Sequence, residues 1–277
     1  QDLPRLGFET SFADSSDAVA MKAAIRPKTR MIMIEAVSNP TLRVADVTGI
    51  AELAAAHGAL LVVDNTFTTP AMFRPMQHGA DIVINSITKF LAGHSDVTLG
   101  YVAAREPGLR TAIYDAAVTW GTTPSPFDCW LAERGLHTFD LRFEKAQATA
   151  AALADALAGR DGIRQVIYPG RADHPHHNRA GTLFGGQFGN MLSFEIEGGR
   201  DEVNSFVMNA GGIPFAPTLG DVGCTLSHPA SSSHRALTTE GRAALGISEG
   251  YFRLSVGIEP PELCLLYTSP SPRDGLL

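Results

Sequence analysis

The chain has 277 residues, 44% of them hydrophobic, and is long enough to bury a large core in one or two domains. Its 22 Lys and Arg residues against 29 Asp and Glu residues give a net charge of −7, which argues against the basic surface that nucleic-acid binding requires. No apolar run is long enough to span a bilayer, and the three cysteines show neither a disulfide nor a zinc spacing, so we expect a soluble, cytoplasmic protein with no membrane partner and no metal.

The stretch from residue 31 to residue 104 alternates short apolar runs with polar breaks. The runs "MIMIEAV", "ALLVVD", "ADIVI" and "LGYVAA" predict buried strands. Between the first two, "DVTGIAELAAAHG" has apolar residues at helical spacing, with Asp46 near its start and Gly58 at its end. This rhythm predicts the α/β class, a mostly parallel sheet covered by helices, with ligands bound at the carboxyl ends of the strands.

The second half of the chain has a different texture. Residues 129–159 predict one long helix, and the segments after it mix strands and helices without a strict βαβ order. We therefore predict a cofactor-binding domain at 1–136, a smaller α+β domain at 137–263, and a Ser/Pro-rich tail at 264–277 that is disordered or foreign to the natural gene. The tract "HPHHN" at 174–178 predicts a polar loop rather than a metal site.

Two chemically important side chains follow neighbouring predicted strands. Asp64 ends "LLVVD", and Lys89 follows "ADIVI" in the small, hydroxyl-rich stretch "NSITKFLAGHSD". Both side chains can reach one crevice at the sheet edge. A lysine there can form a Schiff base with a carbonyl cofactor, and a carboxylate can keep the pyridine nitrogen of pyridoxal phosphate protonated. The hydroxyls of Ser86 and Thr88 can bind the cofactor phosphate.

Each of these residues also has a simpler interpretation. Asp64 alone is typical of a turn, and Lys89 alone is typical of a solvated surface. A nicotinamide-dependent oxidoreductase would use Asp64 to bind a ribose, but the glycine-rich fingerprint that this function requires is absent from "EAVSNPTLRV". The residues alone leave these alternatives open.

Several ordered motifs resemble a known family. They are "EAVSNP", "VVDNTFTTPAMFRPMQHGADIVINSITKFLAGHSDVTLGYV", "ERGLHTFDLR", "TLGDVGCTLSHPASSSHR" and "GISEGYFRLSVGIE", spread from residue 29 to residue 259. In this order they are similar to the pyridoxal-phosphate enzymes of cysteine and methionine metabolism, the group of cystathionine γ-synthase, cystathionine γ-lyase and methionine γ-lyase. The resemblance implies the aspartate-aminotransferase-like fold, the large domain of fold type I of these enzymes.

The resemblance also implies roles for individual residues. Lys89 would be the Schiff-base and catalytic lysine, and Asp64 the partner of the pyridinium nitrogen. Ser86 and Thr88 would bind the phosphate. Arg253 would clamp the α-carboxylate of the substrate, helped by Asn39, because its planar fork matches a carboxylate. Thr218, which would also contact the substrate, stands where the family usually has a serine.

As a reaction, the resemblance implies γ-elimination or γ-replacement on a sulfur amino acid or an O-activated homoserine, in a homo-oligomer, either a dimer or a tetramer. Cystathionine β-lyase chemistry is the alternative, and a catalytically inactive, truncated family member acting as an oligomer partner is a further one. In the family, the glycine-rich loop around the phosphate and the aromatic residue that stacks on the ring precede the region matched here. We therefore expect the chain to be an N-terminally incomplete fragment.

Overall fold

The computed structural model describes residues 3–210 and 212–268, with residues 265–268 described by their backbone alone. The strands are β1 (Met31–Glu35), β2 (Leu60–Asp64), β3 (Ile82–Ser86), β4 (Gly100–Ala104), β5 (Ile163–Ile167), β6 (Met191–Ile196), β7 (Thr225–Ser227) and β8 (Tyr251–Ser255). The helices are α1 (Ala18–Ala24), α2 (Val47–His57), α3 (Thr69–Met72), α4 (Pro107–Thr119), α5 (Pro126–Leu136), α6 (Phe139–Leu157), α7 (His177–Leu183), α8 (Arg200–Asn209), α9 (Thr239–Ala244) and α10 (Pro261–Thr268).

The first sheet has the order β1-β2-β3-β4, in which β1, β2 and β3 are parallel and β4 is antiparallel to β3. The helix predicted between the first two strands is α2. The Asp46 carboxylate accepts a hydrogen bond from the Gly49 N–H at its start, and Gly58 ends it with a left-handed φ of 68°. The predicted mostly parallel sheet covered by helices is confirmed.

Parallel pairing brings the carboxyl ends of β1, β2 and β3 to one edge of this sheet. Glu35 ends β1 opposite Asp64, which ends β2, and Ser86 ends β3. A short π-helical turn, Ile87–Leu91, follows β3 directly and carries Lys89. The fold therefore places the residues that were predicted from two separate motifs at a common edge.

The long helix predicted at 129–159 is wrong in one respect, because the structure has two helices there. Helix α5 ends at Leu136 and α6 begins at Phe139. Thr138 leaves the helical conformation with φ −112° and ψ 4°, and its hydroxyl donates to the Gly135 carbonyl. Gly135 lies so close to the backbone of Ala92 that an added Cβ would clash with it, so the break fits the chain closely against the segment after Lys89.

The second sheet has the order β5-β6-β8-β7 and is antiparallel throughout. Strand β8 is central and fully buried. Its Phe252 packs against Phe194 of β6 and Phe206 of α8, with ring centroids 5.6 and 4.8 Å apart. This apolar face forms the core of an α+β unit, as the change of texture in the sequence predicted.

The predicted domain limits are compatible with these elements but stay predictions. The proposed division at residue 136 coincides with the end of α5. The tail predicted to begin at residue 264 starts inside α10, so its first residues are helical, and residues 269–277 lie outside the described residues. Within the part of the chain that the structure describes, we find no helix that combines the length and the apolar character needed to cross a bilayer.

Candidate active site

Lys89 lies half-buried at the edge of the first sheet, within the turn that follows β3. Its backbone departs from helical geometry (φ −87°, ψ −127°). Its amine approaches the Thr218 hydroxyl at 3.5 Å, so the residue predicted to contact substrate is adjacent to the lysine. Burial lowers the pKa of Lys89 below its ordinary value, and the positive charge of Arg253 lowers it further. Both effects favour the neutral amine, which is the nucleophilic form.

The loop 217–220 packs against the backbone of Lys89. Gly220 has a φ of 86°, and a Cβ placed on it would lie 2.7 Å from the Lys89 carbonyl carbon, so only glycine fits. Its N–H donates to the Ser255 hydroxyl at 2.9 Å. Strand β8 thereby fixes the loop that lies over the lysine.

On the other side of Lys89, Arg142 of α6 holds the turn in place. Its guanidinium donates to the carbonyls of Phe90 and Leu91, both at 2.9 Å, and to that of Gly135 at 2.8 Å. The N–H groups of Arg142 thus supply hydrogen bonds to carbonyl groups in the turn that carries Lys89 and at the end of α5. The lysine is therefore supported by both halves of the chain.

Arg253, in the middle of β8, is 3% exposed. Its Nη1 donates to the Asn39 side-chain oxygen at 2.9 Å, and its Nη2 donates to the Thr218 carbonyl at 2.7 Å. Its Nε has no hydrogen-bond partner among the described residues. Burial lowers the pKa of Arg253 to about 10. A buried cation with an unused donor is costly unless an anion joins it, so the arrangement favours binding of a carboxylate.

Asn39 connects Arg253 to the edge of the first sheet. Its backbone N–H donates to the Glu35 carboxylate at 3.0 Å, and Glu35 lies opposite Asp64 in the strand register. Desolvation raises the pKa of Glu35, and the negative charge of Asp64 raises it further. Asp64 itself accepts the Thr66 N–H at 2.8 Å. Contacts therefore run from Lys89 through Thr218, Arg253 and Asn39 to the Glu35 carboxylate, and Glu35 lies opposite Asp64 in the strand register.

The two predicted phosphate residues differ in their surroundings. The Ser86 N–H donates to the Thr66 hydroxyl at 3.0 Å. The Thr88 hydroxyl instead donates to the Leu99 carbonyl at 3.1 Å and accepts the Leu99 N–H at 2.9 Å. For Thr88 to donate to a phosphate, it would have to give up its bond to the Leu99 carbonyl. An open cleft of about 800 Å³ beside β3 and β4 includes Asp64 and Ser86 in its lining, whereas Lys89 and Arg253 do not line it.

Two groups of potential metal ligands lie outside this network. The histidines of the "HPHHN" tract contact backbone: the Val44 N–H donates to His176 Nδ1, and His177 Nδ1 donates to the Pro169 carbonyl. In the described part of the chain, Cys224, Glu259 and Cys264 bring ligand atoms within 4.8 Å of one another. The absence of a metal stays a prediction.

Some supporting residues were not predicted. Six further residues contact the site residues or their neighbours: Glu35, Arg142, Ser193, Gly220, Tyr251 and Ser255. Alternation within "YFRLS" places Tyr251, Arg253 and Ser255 on one face of β8, and this period of two was the available signal. The partners of these residues are distant in sequence, so no local pattern pointed to them.

A half-buried lysine, a carboxylate and a buried arginine lie near one sheet edge of this α/β fold. This arrangement is typical of enzymes in which a lysine is the reactive group. The chain belongs to the family of Cys/Met metabolism PLP-dependent enzymes, whose sequence model matches residues 1–262. PLP is pyridoxal 5'-phosphate, the cofactor of this family.

The similarity extends to individual relatives. The chain is 42% identical to cystathionine beta-lyase MetC of Bacillus subtilis, over 93% of this chain and 65% of that protein. It is 40% identical to cystathionine gamma-lyase of the same organism, over 94% of this chain and 68% of the relative. A crystal structure of cystathionine gamma synthase from Xanthomonas oryzae pv. oryzae, in complex with aminoacrylate and cysteine, matches with a TM-score of 0.92 and 42% identity, over 99% of this chain and 70% of that one. The chain thus spans about two thirds of the length of these relatives.

Proposed function

We propose that this protein is a pyridoxal-phosphate-dependent enzyme that catalyses γ-elimination or γ-replacement on a sulfur amino acid or an O-activated homoserine. The observation that carries the proposal is the contact of the Lys89 amine with Thr218, whose carbonyl accepts a hydrogen bond from the buried Arg253. A nucleophilic amine and a carboxylate-binding cation are the two groups that an amino-acid substrate requires. Family membership supports the same reading.

The residues present fit the cofactor. Pyridoxal phosphate supplies an aldehyde that reacts with amines and a ring that accepts electrons. Lys89 would hold it through an amine whose lowered pKa favours the reactive form. Asp64, at the carboxyl end of β2, would keep the ring nitrogen protonated, and Ser86 would donate to the phosphate. Thr88 is a weaker candidate for the phosphate because its hydroxyl is bound to Leu99.

Substrate orientation would come from Arg253 and Asn39. The guanidinium has an Nε–H without a partner among the described residues and is held by the Asn39 oxygen, so an α-carboxylate would complete its hydrogen bonding. A carboxylate bound there would place the α-carbon near Lys89, whose amine, once the substrate's own amine has replaced it on the cofactor, would remove the α-proton and return it. Thr218 approaches that amine at 3.5 Å and would steer it by a hydrogen bond.

The test is borohydride reduction of the purified chain with pyridoxal phosphate, followed by peptide mapping. We expect a pyridoxyl label at Lys89 and none at the exposed Lys22, Lys28 and Lys145, which serve as internal controls. A Lys89→Arg variant should lose the label without losing its circular-dichroism spectrum. Label spread over all the lysines, or none on folded protein, would contradict the proposal.

β-Elimination is the second candidate, because a cystathionine beta-lyase is as similar to this chain as the γ-enzymes are. Supplying cystathionine to the cofactor-loaded protein separates the two: γ-cleavage releases cysteine, and β-cleavage releases homocysteine. If neither product is released, the protein is assayed with O-activated homoserine and a thiol, which tests for γ-replacement. Cofactor binding without either reaction would favour the inactive oligomer partner.

We also propose a homo-oligomer located in the cytoplasm. Large apolar side chains are exposed on α4, α5 and the turn between them, including Trp120 (79%), Phe127 (64%) and Trp130 (55%). The rings of Phe127 and Trp130 stack at 5.9 Å, so the patch is locally ordered. Exposed apolar patches of this kind support association between copies.

A further inference from the structure

The face of β8 opposite its apolar core is polar. Because side chains alternate along a strand, Tyr251 and Ser255 project to the same side as Arg253. Ser193 of β6 lies directly opposite Arg253 in the antiparallel register and joins this face. All of these side chains are buried. Four buried polar groups on one face must each find a partner, so their partners are informative.

Two of these side chains bind the same atom. The Pro40 carbonyl accepts a hydrogen bond from the Ser193 hydroxyl at 2.8 Å and another from the Tyr251 hydroxyl at 2.9 Å. A carbonyl oxygen has two lone pairs, so the two hydroxyl groups of the second sheet use the full hydrogen-bonding capacity of the Pro40 carbonyl. Burial raises the pKa of Tyr251, which keeps its phenol protonated and able to donate.

Pro40 follows Asn39, the residue that contacts Arg253. The Asn39 side chain accepts from Arg253 at 2.9 Å, and its N–H donates to Glu35 at 3.0 Å. The peptide of Asn39 is therefore tied to the first sheet on one side and, one residue later, to β6 and β8 on the other. The two hydroxyl bonds therefore restrain the backbone beside Asn39 from the side of the second sheet.

We infer that Ser193 and Tyr251 are positioning residues for substrate binding: they hold the Pro40 carbonyl so that Asn39 orients Arg253 toward the substrate carboxylate. The inference rests on the proposed function, and it adds two residues that touch neither cofactor nor substrate. It predicts a defect that depends on the carboxylate of the ligand. General loosening of the fold would affect all ligands alike.

The experiment uses the full 277-residue chain loaded with pyridoxal phosphate, in the variants Tyr251→Phe, Ser193→Ala and the double variant. The probes are L-methionine and 3-(methylthio)propylamine, the same molecule without the carboxylate, each titrated against the visible absorbance of the bound cofactor. We expect the double variant to weaken methionine binding about tenfold, since two net hydrogen bonds are lost, and to leave amine binding unchanged. Each single variant should have a smaller effect because one hydroxyl remains.

Tyr168→Phe is the matched control. Tyr168 is also buried, and its hydroxyl donates to a backbone carbonyl, that of Gly189, at 2.9 Å. The same atom is lost and the same kind of bond is broken, but the acceptor is not next to Asn39. Methionine binding should therefore be unchanged in this variant.

A double-mutant cycle tests the route through Asn39. If Ser193 and Tyr251 act through that side chain, their replacement in an Asn39→Ala background should weaken methionine binding much less than in the wild type. If the double variant does not fold, the same cycle is run with Tyr251→Phe and Ser193→Ala singly, with Ser193→Thr as the variant that restores the hydroxyl.

The outcomes separate the inference from the function on which it rests. A wild-type chain that binds neither cofactor nor methionine contradicts the proposed function. A wild type that binds both, with variants that bind methionine equally well, overturns the inference alone. Equal losses for methionine and for the amine also overturn it, because they indicate a general structural role.

Discussion

Arg253 is a positively charged side chain that is almost completely buried. Its contacts among the described residues are with neutral oxygens, those of Asn39, Thr218 and Pro217. None of the ion pairs found in the described part of the chain involves it. A buried charge without a counter-ion favours the binding of an anion, and the charge of Arg253 also lowers the pKa of Lys89.

The first prediction concerns that electrostatic effect. Replacing Arg253 by Gln removes a positive charge near Lys89 and should raise the pKa of the lysine, although the larger effect, burial, remains. The rate of acylation of Lys89, followed by mass spectrometry against pH, should therefore rise at higher pH than in the wild type. Arg164→Gln, which removes an exposed arginine paired with Glu195, is the control and should leave the profile unchanged. A profile that stays in place in both variants would contradict the prediction.

At the scale of elements, the sequence predicted what local patterns can encode. The ends of α2 at Asp46 and Gly58 and the runs that became β1, β2 and β3 follow from capping and periodicity. The break between α5 and α6 did not follow from local patterns, because Gly135 and Arg142 on either side of it contact the distant segment after Lys89. Arg253 was predicted by resemblance, whereas Ser193 and Tyr251 were missed because their partner is distant in the chain.

The second prediction separates two neighbouring hydroxyl residues. Thr88→Val should lower the free energy of unfolding by about 1–2 kcal/mol, because it removes both bonds between the hydroxyl and Leu99. Ser86→Ala should change that free energy by less than about 0.5 kcal/mol and weaken the binding of pyridoxal phosphate instead. Urea unfolding and cofactor titration measure the two effects. If Thr88→Val weakened cofactor binding and Ser86→Ala lowered the free energy of unfolding, Thr88 would be the phosphate ligand and the prediction would be wrong.

At the scale of the whole molecule, the loop that follows β1 joins the two sheets. The second half of the chain binds this loop at Pro40 through Ser193 and Tyr251, and at Val44 through His176 and Arg179. His174 is 7% exposed and accepts the His176 N–H on its Nδ1. Protonation of either imidazole on Nδ1 would break a bond at this joint.

The third prediction follows from the pKa of His174. Burial first, and the neighbouring His176 second, lower this pKa from 6.5 to about 4. Since the unfolded chain takes up a proton below pH 6.5 and the folded protein does not until about pH 4, the free energy of unfolding should fall through this window as the pH drops. The loss of unfolding free energy due to His174 reaches about 1–3 kcal/mol at the lower end of this window, after allowance for solvent screening.

His174→Asn, which keeps an acceptor near the position of Nδ1, should flatten the pH dependence of urea unfolding. His57→Asn, at an exposed histidine on α2, is the matched control and should retain the wild-type slope. The charges that face His174, those of Asp173, His176 and His177, are present in both variants. Equal slopes in the wild type and His174→Asn would count against this role.

The bond between Arg253 and Asn39 joins residues 214 positions apart. A ribosome releases the chain from its amino end, so β1 to β4 and Lys89 leave it well before β8 does. During that interval the lysine has neither Thr218 nor Arg253 beside it. A stalled or prematurely terminated product would thus display the amine without the guanidinium, and completion of synthesis through β8 acts as the last step in assembling the pair.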